Sequence, residues 1–202
     1  MSSDHFQIAD VVGVILAGGQ STRFGRDKAM AMLAGRPLIK HVAATMVSIF
    51  ASCLLVTNNP ENYSFLDLPT TPDLYPGFGP LAGIHAALKR INVSRAFVVG
   101  CDMPMIDPVL IRFICGLGKE DEWDVVLPWL ERGPEPLFGL YRKTALPLIE
   151  KNLKGKIRKI EDALSRLKVR RVSQAEILAV VPDLSSLHNV NWPTDLAAET
   201  ED

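Results

Sequence analysis

Val11-Val-Gly-Val-Ile-Leu-Ala-Gly-Gly-Gln-Ser-Thr-Arg-Phe-Gly-Arg-Asp-Lys28 is the stretch whose reading decides the fold. Its first third is an apolar, β-branched run of the kind that fills a buried strand. Gly18 and Gly19 follow, and without a Cβ they let backbone approach a ligand closely. Gln20, Ser21 and Thr22 add small polar groups, and Arg23, Arg26 and Lys28 add fixed cations. Backbone N–H groups beside such cations make a cradle for a polyphosphate. A glycine turn with solvated basic residues is the bland alternative. Strand, glycines, Arg and Lys in one block favour the cradle. The block is no P-loop, since no Gly-x-x-x-x-Gly-Lys-Ser/Thr occurs, and no Gly-x-Gly-x-x-Gly follows the strand.

Outward from this block, strand and helix alternate. Pro37–Phe50 reads as a helix whose Leu38, Val42, Met46 and Phe50 recur as a core-facing stripe. Cys53–Thr57 is a second strand, and Tyr63–Gly79 a long loop around a short one. Pro80–Arg90 is helical, and Ala96–Gly100 a third buried strand running into Cys101-Asp102-Met-Pro104. Pro108–Leu117 is helical, Val125–Trp129 and Pro136–Tyr141 are strands, and Ala145–Asn152 and Ile157–Leu167 are helical. Val169–Val172 is a short strand, and a last helix opens from Asn189 to Leu196. The alternation predicts an α/β fold with a mostly parallel sheet covered on both faces. No repeat or linker divides the chain, which reads as a single domain over 1–202: a flexible tail over 1–10, a half over 11–105 holding the glycine loop, and a half over 106–202.

Composition narrows the function. The chain has 202 residues, is 48% hydrophobic and 22% charged, and carries a net charge of −1. With no basic block, nucleic-acid binding has no electrostatic footprint, so an anionic substrate is to be held by a few local cations. Cys53, Cys101 and Cys115 are odd in number and lack metal spacing, which suits a reducing cytoplasm. No signal peptide is evident, since the first basic residue, Arg23, follows the apolar run, and no run nears the roughly 20 residues that span a bilayer. The expectation is a cytoplasmic protein.

Two further clusters carry chemistry. Asp102 follows a buried strand, where parallel α/β sheets place ligands. A carboxylate there either holds Mg²⁺ against nucleotide phosphates or caps the next helix; the phosphate loop favours the metal. Cys101 has no base partner and reads as packing. Pro72-Asp73-Leu-Tyr-Pro-Gly-Phe-Gly-Pro-Leu-Ala-Gly-Ile84 is a tight turn and a helix start, with Gly79 and Gly83 close to whatever lies above the sheet. Arg132-Gly-Pro-Glu-Pro136 and Lys156-Ile-Arg-Lys159 read by default as solvated charge, and His41 and His85 as helix residues.

Residues 16–28 closely resemble the signature loop of the molybdenum cofactor guanylyltransferases, Leu-Ala-Gly-Gly-x-Ser-x-Arg-(Met/Phe)-Gly-x-Asp-Lys. Cys101-Asp-Met-Pro104, the Asp73–Gly83 stretch and Asn189-Val-Asn-Trp-Pro193 are similar to further elements of that family. The resemblance implies a Rossmann-like three-layer fold of the nucleotide-diphospho-sugar transferase type. It also implies transfer of GMP from GTP to the phosphate of molybdopterin, with pyrophosphate released. By it, Arg23 and Lys28 stabilise the leaving group, Asp102 binds Mg²⁺, and Leu16, Ala17, Gly18, Gly19, Gln20 and Ser21 form the phosphate cradle. Thr57 or Asn59, with Asp73, Gly79 and Gly83, contacts the nucleoside. Arg132, Pro136, Asn189 and Asn191 face the acceptor, Asn191 doubling as a helix cap. Implied partners are GTP, molybdopterin, and molybdoenzymes or cofactor-biosynthesis proteins, with neither nucleic acid nor membrane. A cytidylyltransferase would share the loop and the Asp, as would a transferase for another acceptor. A non-catalytic accessory protein would need neither Lys28 nor Asp102.

Overall fold

The computed structural model describes residues 7–18, 27–120, 122–157 and 159–190. In chain order the strands are β1 (Val12–Leu16), β2 (Met32–Leu33), β3 (Arg36–Pro37), β4 (Cys53–Val56), β5 (Thr70–Thr71), β6 (Arg95–Gly100), β7 (Val125–Leu130), β8 (Gly133–Pro134), β9 (Phe138–Arg142) and β10 (Val169–Ser173). The α-helices are α1 (Leu38–Ile49), α2 (Pro80–Arg90), α3 (Pro108–Leu117), α4 (Leu146–Lys154), α5 (Ile160–Leu164) and α6 (Gln174–Leu178).

One eight-stranded sheet runs β10-β7-β9-β6-β1-β4-β5, with β8 paired to β7. β1 lies between β4 and β6 and is parallel to both. Strand β9 alone reverses the main path, antiparallel to β6 and β7. Both faces of the sheet are apolar because its strands alternate between two cores. Ile15, Leu55, Phe97 and Val99 meet α1, α3 and α6 on one face. Val14, Leu16, Val56 and Val98 meet α2, α4 and α5 on the other. The α1 stripe of Leu38, Val42 and Met46 is fully buried. Each such side chain contributes about 1.5–3 kcal/mol on leaving water. The result is the three-layer, mostly parallel α/β fold that the alternation of strand and helix implied.

Several expectations shift. Residues 7–10 are no loose tail. Ile8 bridges Phe50, and Asp10 pairs with Arg95, a buried guanidinium that also donates to Gly118 O at the end of α3. The Gly35-Arg36-Pro37 turn is part of a β2–β3 hairpin, closed by Ala34 and Gly35 at φ 47° and 76°. The Tyr63–Gly79 loop begins inside a 3₁₀-helix over Pro60–Leu66. The helix expected over Ile157–Leu167 shrinks to Ile160–Leu164, because the chain leaves α4 through Gly155 and through Lys156 at φ 61°. Ser173 and Glu176 form a capping box that starts α6, a helix the sequence pattern did not reveal. The expected last helix begins at the edge of the described residues and lies outside them. Among the described residues no helix is long and apolar enough to cross a membrane.

Candidate active site

The chain leaves β1 toward β4 on one side and later returns to β6 on the other, so β1 is the switch point where open α/β sheets bind ligands. A cavity of about 640 Å³ opens there, at the carboxyl ends of β1 and β4. Leu16, Gly18, Val56 and Thr57 form its floor, and Asn58, Asn59 and Asp73 one wall. The other wall is Gly77, Gly79, Pro80 and Gly83 at the start of α2. Gly79 caps α2 at φ 66°, ψ −154°, a conformation that only glycine adopts without strain. Gly83 serves closeness: a Cβ there would meet both Leu16 methyls at 3.2 Å.

The polar wall is internally braced. Asn58 Oδ1 accepts from Asp73 N–H at 2.9 Å, and Asp73 Oδ1 accepts from Tyr75 N–H at 2.6 Å. Thr57 is buried, and its hydroxyl accepts from Asn59 N–H at 3.1 Å. Between Thr57 and Asn59 the sequence left a choice; both line the cavity, and Asn58, which the sequence reading passed over, joins them. Three consecutive polar residues after an apolar strand were the available signal.

Beside the cavity stand Lys28 and Asp102. Cys101 N–H donates to Leu16 O at 3.1 Å, which sets the residue after β6 against the end of β1. Lys28 Nζ lies 2.7 Å from Asp102 Oδ2, with both side chains largely covered. Asp27 caps the short turn Lys28–Met30 by accepting from Ala29 N–H. Gly100 is a second residue the sequence reading missed. A Cβ at that position would stand 2.5 Å from Asp102 Oδ1, so the carboxylate occupies the room that glycine leaves. The signal was a glycine ending a β-branched strand two residues before an Asp. Burial, then the nearby Asp102 and Asp27 carboxylates, pushes the Cys101 thiol far above its ordinary range, so it packs as an uncharged group.

The C-terminal residues converge on the same edge. Val190 N–H donates to the backbone carbonyl of Asp102 at 2.9 Å, which brings the segment holding Asn189 to the end of β6. Arg132 pairs with Glu135 and donates to Leu187 O at 2.9 Å, so it braces the segment leading to Asn189 and is not simply solvated. Gly100 N–H donates to Leu137 O, which puts Pro136 alongside the end of β6. Ala17 departs from its expected role, because it is buried and its N–H is used by Val56 O. It extends the strand and offers no donor to a phosphate. Gly19, Gln20, Ser21, Arg23 and Asn191 lie outside the described residues. The described residues contain no group of three or more His, Cys, Asp or Glu suited to a metal ion.

A cavity at the switch point, a glycine-capped helix beside it, and a carboxylate–lysine pair at the adjoining strand ends form a polar ligand site on a Rossmann-like sheet. The chain matches the MobA-like NTP transferase domain over residues 13–176. It is 38% identical over 187 residues to the molybdenum cofactor guanylyltransferase of Desulfosudis oleivorans, covering 92% of each chain. A relative from Pelotomaculum thermopropionicum is 36% identical over 184 residues, covering 91% of this chain and 89% of that one. Among solved structures, molybdopterin-guanine dinucleotide biosynthesis protein A from Archaeoglobus fulgidus superposes with a TM-score of 0.82 at 29% identity. That match covers 93% of this chain and 95% of the other. The chain belongs to the MobA-like NTP transferase family.

Proposed function

We propose that the protein is a molybdenum cofactor guanylyltransferase, transferring GMP from GTP to the terminal phosphate of molybdenum-loaded molybdopterin. A phosphate oxygen of the acceptor attacks the α-phosphorus of GTP, the bond to the bridging α,β-oxygen breaks, and pyrophosphate leaves. The observation that carries this reading is the Lys28–Asp102 pair set at the sheet's switch point beside a nucleotide-sized cavity. Relatives that share about nine-tenths of the chain bear that activity in their names.

The nucleophile is already anionic and needs no strong base, so catalysis rests on positioning and on charge neutralisation. Asp73, turned by Asn58 and Tyr75 N–H, offers a carboxylate oxygen to nucleoside N–H or O–H groups, and Thr57 and Asn59 complete that wall. Gly79 and Gly83 let the base lie close to α2. Lys28 supplies three N–H donors and a charge for the β-phosphate as it departs, and Arg23 in the glycine loop supports the same charge, with Gly18, Gly19, Gln20 and Ser21 as the cradle. Residues 106–202 serve the acceptor through Arg132, Pro136 and Asn189, with Asn191 following in the same element.

Asp102 fits Mg²⁺. It is a single hard-oxygen ligand, largely covered, beside space for a polyphosphate, and Mg²⁺ takes one or two carboxylates and completes its shell with phosphates and water. Bound there, the ion would neutralise phosphate charge. Cys53, Cys101 and Cys115 are all free thiols, in keeping with work in the cytoplasm.

The deciding assay incubates the purified protein with Mg²⁺, molybdenum-loaded molybdopterin and either GTP or CTP, and measures pyrophosphate. Release with GTP alone is expected. Release with CTP would keep the fold and mechanism but replace the product, and silence with both would refute the reading. Asp102→Ala is expected to abolish turnover; retained Mg²⁺-dependent transfer in that variant would remove Asp102 from its metal role.

A further inference from the structure

We propose that Tyr63 is a positioning residue for Lys28, acting by clamping the Asp27 carboxylate that caps the turn carrying the lysine. The inference rests on the nucleotidyl-transfer reading above.

Tyr63 belongs to the 3₁₀-helix over Pro60–Leu66, just past the carboxyl end of β4, and is 4% exposed. Its hydroxyl donates to Asp27 Oδ2 across 36 residues of sequence. The other oxygen, Oδ1, accepts from Ala29 N–H at 3.1 Å, inside the turn that carries Lys28. Asp27 is therefore held at both oxygens, one by the turn itself and one by a side chain from a different element. Lys28 Nζ donates to Asp102 Oδ2, 74 residues away, at 2.7 Å. The chain Tyr63–Asp27–turn–Lys28–Asp102 ties together the ends of β4 and β6 across β1.

Asp27 and Asp102 both act on the Cys101 thiol, so both carboxylates stand in this corner. Without the phenol, Asp27 would be held at Oδ1 alone, and the turn that presents Lys28 to Asp102 would lose its tie to the end of β4. Burial and the neighbouring Asp27 raise the phenol's pKa far above its ordinary value, so it remains a donor at every working pH. A buried tyrosine that only filled the core would need a carbonyl or water as its partner. This one takes the carboxylate next to the phosphate-loop lysine.

Tyr63→Phe keeps the ring and deletes the hydroxyl. Expected is a fall in kcat for pyrophosphate release on the order of tenfold or more, with KM for GTP nearly unchanged, because the misplaced group acts in the transition state. Asp27→Asn breaks the same interaction from its other end. In the double variant the losses should not multiply, since both remove one coupling. Independently of turnover, the side-chain ¹⁵N resonance of Lys28 in the nucleotide-free protein, identified by its absence in Lys28→Ala, should shift in both Tyr63→Phe and Asp27→Asn. Multiplying kinetic losses would overturn the proposal, and so would an unmoved Lys28 resonance in folded variants. If wild type turns over neither GTP nor CTP, the transfer reading fails while the resonance still decides the role of Tyr63. If Tyr63→Phe does not fold, Asp27→Asn alone carries that test.

Discussion

Gly100 ends β6 without a positive φ, so no backbone strain demands glycine there; what demands it is the Asp102 oxygen lying where a Cβ would be. Gly100→Ala should therefore leave the fold almost intact, because a carboxylate tip moves cheaply, while shifting that carboxylate away from Lys28. We expect turnover to fall by on the order of 10- to 100-fold and stability to change by less than about 1 kcal/mol. Steady-state kinetics and thermal melts on the same preparation check both halves, and a large loss of melting temperature would contradict the account. His85 behaves differently. It is fully buried on α2, edge-on to the Tyr75 ring at 5.1 Å, and neither ring nitrogen has a hydrogen-bond partner among the described residues. Burial pushes its pKa below the ordinary 6.5, more than Glu150, 3.9 Å away, pulls it up. The unfolded chain thus binds a proton near pH 6.5 that the folded chain refuses. Stability from this site is complete above that pH and declines as pH falls below it. His85→Phe should flatten the melting-temperature profile between pH 6.5 and about 5, and an unchanged slope would show that other groups set it.

At the scale of elements, the β2–β3 hairpin is the clearest case of local chemistry at odds with sequence. Both turn residues have positive φ, the signature of a type I′ turn, which favours Asn-Gly. Position 34 carries Ala instead. The turn persists because His41 of α1 bonds to Leu33 O at 3.0 Å, and because Leu33, Leu38 and Val190 pack together around it. Ala34→Asn should relieve about 0.5–1 kcal/mol of strain and raise the melting temperature by about 1–4 °C, which calorimetry would measure. The helices α2 and α3 were legible to the residue, since each opens on a proline in its first turn and follows an apolar stripe. The 3₁₀-helix that carries Tyr63 was not. Its register comes from packing against the sheet, and the prolines around it read as loop.

For the whole molecule, a net charge of −1 means that an anionic nucleotide is drawn by a local field, not by the protein at large. Binding to the folded state alone adds RT ln(1 + [L]/Kd), about 2.7 kcal/mol at a hundredfold excess over Kd. In a chain of this size that is about 5–10 °C of melting temperature. Mg²⁺ with GTP should produce that shift in wild type and much less in a variant carrying Asp73→Ala and Gly79→Ala, read by differential scanning fluorimetry. An equal shift in both would move the nucleoside out of the cavity.

The sequence by itself determined the layered α/β class, the buried strands, the starts of the main helices and the motifs of the loop and of Asp102. Those features are written locally, in hydrophobic period, in proline and glycine placement and in short runs of residue types. Tertiary structure alone decided that Lys28 meets Asp102, that Asn58 braces Asp73 and that Val190 ties the C-terminal segment to the Asp102 backbone. It also decided that β9 enters the sheet reversed between β6 and β7. Apolar periodicity records which side chains are buried, but a strand buried on both faces carries no mark of its neighbour. Strand order follows from crossovers and loop closure over dozens of residues, and with it comes the meeting of polar groups at the carboxyl edge.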